Sequence, residues 1–173
     1  MKKIEVNPLS YSSIQKAIKD IEEYKKWVVR KANELTERLA MLGATVASLN
    51  FSRAIYNGIN DVQLSVEQIE NGYKIVASGQ AVAFIEFGSG ARYGGSYPAE
   101  ETEVDPAITV PGSWSDDVGK GHWNSPNGWY LPKDKGGGHS YGNPPAMAMY
   151  YASKEIEDKI KNIAQEVFSG DGH

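Results

Sequence analysis

Between Ser10 and Gly43 apolar side chains return every seven residues, at Ile14, Ile21, Val28, Leu35 and Leu42, and this repeat constrains the fold more than any other feature. Seven residues make almost two turns of α-helix, so these side chains share a face only if the backbone is helical throughout. Ile18, Ala32 and Leu39 fill three of the four intermediate seam positions, and Lys25 stands in the fourth. Glu22 with Lys26 and Glu34 with Arg38 are i,i+4 pairs in the favourable order. Ser10, Ser12 and Ser13 offer capping oxygens ahead of the run, and Gly43 supplies a C-terminal stop. A helix of about 30 residues would be roughly 45 Å long. That exceeds what a one-core domain needs, so the stripe has length to meet both the chain's own sheet and another subunit, with Ile21, Val28 and Leu35 as interface candidates.

Beyond Gly43 the pattern changes twice. Ala44 to Tyr56 reads as a second, short helix ended near Asn57-Gly58. From Asp61 the period becomes two: Val62, Leu64 and Val66 alternate with polar residues, Asn71-Gly72 is a hairpin turn signal, and Tyr73, Ile75 and Ala77 resume the alternation. Gly79-Gln80 marks another turn, and Ala81 to Phe87 reads as a third, more buried strand. Residues 94–142 then hold ten of the eighteen glycines, five of the eight prolines and three of the four tryptophans. A stretch this long is no ordinary connection, and Trp114, Trp123, Trp129 and Tyr130 make it too apolar for a plain linker; they read as a private mini-core of the insertion or as interface candidates that anchor it to a neighbouring subunit. Short strands, one near Gly128 to Leu131, are expected to pin it down. Pro144-Pro145 leads into a last helix with Met149, Ala152, Ile156, Ile160, Ile163 and Val167 on one face, closed by Gly170.

The chain's 173 residues suit one domain, 1–173, with 94–142 as an insertion within it. Hydrophobic residues at 40% and charged residues at 23% are enough for a packed core. A net charge of −4 argues against a phosphate-neutralising surface, and so against nucleic acid as the main partner. The absence of cysteine excludes disulfides and thiolate chemistry, and the sequence contains no apolar run long enough to span a membrane. Neither a cofactor nor a metal is expected: His122, His139 and His173 are scattered without zinc-ligand spacing.

Ala83 to Gly90 carries one carboxylate in an apolar run that exits through two glycines. Glu86, Phe87, Gly88 and Gly90 read as a structural turn, Glu86 accepting from backbone amides or pairing with Arg92, and the glycines taking positive φ. Gly88-Ser89-Gly90 lacks the third glycine and the following helix of a dinucleotide fingerprint. Two other functions stand beside the architectural one: a carbohydrate platform of Trp114, Trp123 and Trp129, and a hydrolase or nuclease built around Glu86, Asp116 and His122. No catalytic set is recognisable in the spacing.

Two stretches resemble the tail-component, head-tail joining proteins of long-tailed siphophages, a family that includes tail completion and neck proteins. Phe84 to Gly90 is similar to the family's apolar segment followed by Glu-Phe-Gly-Thr-Gly, with Ser89 in the threonine position. Gly142 to Ala152, containing Pro-Pro-Ala-Met-Ala-Met-Tyr-Tyr-Ala, resembles its Pro-rich lead-in to a C-terminal helix, and Gly128-Trp129-Tyr130 matches an element of its aromatic insertion. The chain departs from the family at Leu42-Gly43-Ala44-Thr45, where many members carry a Pro-x-Asp-Thr-Gly turn. The resemblance implies a non-enzymatic assembly protein of a tailed phage or prophage. It implies homo-oligomeric rings, contact with other neck or tail proteins, and passage from host cytoplasm into the virion. The fold expected is α+β: a long N-terminal and a C-terminal helix on a small antiparallel sheet, with the Gly/Trp-rich insertion.

Overall fold

The computed structural model describes residues 4–90, 127–130, 133–135 and 137–169. It is α+β, two long helices packed with a two-stranded antiparallel sheet. Helix α1, Tyr11–Arg53, has 43 residues and is therefore about 64 Å long. Ser10 caps it, its hydroxyl accepting from the Ser13 amide. Glu34 takes Arg38 at 2.6 Å and Lys31 at 3.2 Å, and the Lys31 hydrogen bond, followed by the charges of Lys31 and Arg38, holds its carboxyl below the usual range despite partial desolvation.

Gly43 does not end the helix, and the two helices expected on either side of it are one. Glycine costs about 1 kcal/mol relative to alanine inside a helix, but here its missing side chain is where the other elements come in. A Cβ on Gly43 would stand 2.6 Å from both Ile156 Cδ1 and Ile75 Cδ1. Close approach of the segments that carry Ile156 and Ile75 thus uses the residue that local propensity reads as a stop. Ala47 continues the small-residue track, and α1 ends only at Arg53, where the Ala54 amide turns back to the Phe51 carbonyl.

Strands β1, Gln63–Ile69, and β2, Gly72–Ser78, pair antiparallel round Glu70-Asn71, with Gln63 opposite Ser78. The hairpin forms as the alternation predicts, Leu64 and Val66 half-buried between exposed neighbours. The third strand does not form. Residues Val82–Phe87 are instead a short helix, α2, and its two ends explain why. At the start, the Asp61 carboxylate accepts from the amides of Gln80 and Ala81, each at 2.8 Å. At the finish, the carbonyls of Ile85 and Glu86 accept from the amides of Ala146 and Met147. A short apolar run fits helix or strand equally well, and these distant partners select the helix.

Helix α3, Ala148–Ser169, runs antiparallel to α1: Ile156 lies over Gly43, and Phe168 meets Trp27 edge-on at 5.7 Å. The core gathers Ala47 and Phe51 of α1, Ala81 and Ile85 at α2, and Ala148 and Ala152 of α3. Four of these six are alanines, which let the helices approach closely around Phe51 and Ile85. Phe51→Ala is expected to lower stability by about 3–5 kcal/mol, the cost of emptying a large buried site, measured by urea denaturation with circular dichroism.

Candidate functional site

Helix α3 begins without a cap of its own. The residues before it, Pro144-Pro145-Ala146-Met147, have no side-chain oxygen, and its first turn holds no acid. A helix start leaves backbone amides unpaired and carries partial positive charge, so an acceptor must come from elsewhere. Glu86 provides it: its carboxylate, 3% exposed, accepts from the Met149 amide through both oxygens at 3.0 and 3.1 Å and from the Tyr150 amide at 3.3 Å. Of the two roles the sequence allowed Glu86, the amide-accepting one is realised; Arg92 lies outside the described residues.

Gly88 and Gly90 continue the junction. Ser89 and Asn143 exchange backbone hydrogen bonds at 2.9 and 3.1 Å, and the Ser89 hydroxyl donates to Asn143 Oδ1. The Asn143 amide group in turn donates to the Phe84 carbonyl at 2.8 Å. Gly88 has φ 76°, and a Cβ there would sit 2.8 Å from Pro145 N and 2.9 Å from the Asn143 carbonyl. Gly90, at φ 87°, faces the Tyr141 carbonyl as closely. Met147, at φ 50°, carries the one positive φ among described non-glycine residues, at the point where the chain swings into α3. Segments 84–90 and 141–150 are therefore stapled together, and the insertion leaves and re-enters the fold at one bonded stem. Asn143 was not singled out in the sequence; Gly142-Asn143-Pro144 carried the signal of a built turn.

Beside the stem lies a ladder of β3, Trp129–Tyr130, with β4, His139–Ser140, the short strand expected near Gly128. Asn57 Nδ2 donates to Ser140 Oγ at 3.1 Å, fixing the ladder to the turn after α1. Trp129 turns inward and is 5% exposed, so of the core, interface and sugar-stacking roles open to it the ring takes the core one. Its neighbour Tyr130 is outward, and His139 sits edge-on between Tyr130 at 4.7 Å and Tyr141 at 4.6 Å. Trp114, Trp123, Asp116 and His122 lie outside the described residues.

Of the α1 candidates, Ile21 is 54% exposed, while Val28 and Leu35 are half-buried. An open groove of about 740 Å³ runs between the outer face of α1, at Met41, Thr45 and Leu49, and β1, at Leu64 and Val66. Among the described residues no three His, Asp or Glu side chains converge, and no helix is long and apolar enough to cross a membrane. No protein-family model, curated protein or solved structure matches the chain.

Removing the cap is expected to be costly. Glu86→Ala should lower stability by about 2–3 kcal/mol, the range for hydrogen bonds to a charged group, with Glu86→Gln between it and wild type in urea titrations. Gly88→Ala introduces a strained φ and a backbone clash, and should cost roughly 1–3 kcal/mol. Hydrogen exchange then checks its location: the Ser89 and Asn143 amides should lose protection before those of β1 and β2.

Proposed function

We propose that this chain is a non-enzymatic assembly protein of a tailed phage or prophage, acting in head-tail joining or tail completion through self-association into a ring. One observation carries the reading. The two stretches that resemble the siphophage family, Phe84 to Gly90 and Gly142 to Ala152, are not independent similarities: Glu86 caps the helix that the second begins, and Ser89 pairs with Asn143. They form a single device whose effect is to aim the insertion from a fixed stem. Its partners in this reading are further copies of itself and other neck or tail proteins, met in the host cytoplasm and retained in the virion.

The rival readings have less to stand on. The sugar platform loses Trp129 to the interior. The hydrolase proposal leans on Glu86, whose two oxygens already serve the α3 amides.

In the reading's favour, sedimentation velocity of the full chain should show species growing with concentration, and electron microscopy should show rings. Disrupting the gene in its phage should leave filled heads and tails unjoined, with joining restored by the wild-type gene supplied separately. Undiminished yield of complete virions after disruption would overturn it.

A further inference from the structure

The stretch Tyr11–Lys26 of α1, about 24 Å at 1.5 Å per residue, extends past Trp27, where Phe168 near the end of α3 makes its contact. The heptad seam is thereby divided. Leu39 is buried and Leu42 half-buried at its C-terminal end, whereas Ile18 is 46% and Ile21 54% exposed at the other, with Lys25 and Ala32 exposed on the same seam. Ile14 is half-buried and Ala17, on the flank of this face, is buried, so the open part of the seam is Ile18, Ile21 and Lys25. Resting on the reading that the chain self-associates, we propose that this open seam is a contact between two copies of the chain, pairing their α1 helices antiparallel about a two-fold axis near Glu23.

Lys25 decides the orientation. Parallel pairing in register would stack Lys25 on the partner copy's Lys25 at a seam position, and two ammonium groups facing each other there repel. Antiparallel pairing instead lays the Lys25 stem along Ile21 of the other copy and carries its ammonium to Glu22, the exposed acid on the seam's edge. By symmetry the exchange occurs twice, and Ile18 falls opposite Val28. Such a contact is isologous and stops at two copies, so ring closure requires a second, different surface.

The chain contains no cysteine, which makes engineered thiols unambiguous probes. Full-length Ile21→Cys and Lys25→Cys chains, distinguishable by mass, are mixed and mildly oxidised. The antiparallel contact predicts that the mixed dimer, joined between positions 21 and 25, forms several-fold more than either homodimer. Dominant homodimers, or no preference, would overturn it. Glu22→Lys is expected to raise the dimer Kd about ten-fold, and Glu22→Lys with Lys25→Glu in one chain to restore it; an unchanged Kd in Glu22→Lys counts against the contact. Self-association of the wild-type chain, with no 21–25 preference between the two cysteine variants, removes this seam and leaves self-association standing. Wild-type chain that stays monomeric, with the thiol of Ile21→Cys shielded by its own chain, removes both.

Discussion

The carboxylate of Glu86 at the start of α3 is the interaction on which the rest of the architecture depends. A charged acceptor buried to 3% exposure is tolerated only when its hydrogen-bonding capacity is met, and here the unpaired amides of a 22-residue helix meet it. The arrangement is reciprocal. While the Glu86 side chain accepts from α3, the carbonyls of Ile85 and Glu86 accept from the segment just before it. Both helix ends are thus satisfied by each other, across more than fifty intervening residues, and segments 84–90 and 141–150 are closed against one another.

Helix α1 supplies the surface on which this lock is assembled. A straight α-helix drifts about 20° per heptad from a strict seven-residue repeat, so the line through Ile14, Ile21, Val28, Leu35 and Leu42 cannot stay on one core for its whole length. The core instead follows Gly43, Ala47 and Phe51, each four residues from the next, where the small side chains admit Ile156 and Ile75. Burial at one end of the helix and exposed Ile18 and Ile21 at the other follow from the same geometry, because the 22-residue α3 is too short to accompany all 43 residues of α1.

What the fold leaves outward is as informative as what it buries. Trp129 turns into the protein, and Tyr130, His139 and Tyr141 face out beside the stem. Tyrosine and histidine on a pinned two-residue ladder lose little conformational freedom on being covered, which suits a contact surface. The exposed Ile18 and Ile21 of α1 and the groove beside β1 are further apolar surfaces left outward.

Local pattern was enough for the elements whose signal lies within them. The heptad run marked α1, alternation round Asn71-Gly72 marked the hairpin, and the Ile and Val spacing after Pro145 marked α3, so α+β could be read directly. It was insufficient wherever the deciding partner is distant. Gly43 reads as a stop until Ile156 and Ile75 are brought against it, and Ala81 to Phe87 reads as a strand until Asp61 and the 146–147 amides hold its two ends. For Glu86 the sequence allowed amide acceptance or an Arg92 pair, and only the fold showed which amides, since they belong to a helix that begins more than sixty residues later. Periodicity is a property of neighbours along the chain, whereas close approach and capping are properties of neighbours in space, and tertiary structure alone supplies those.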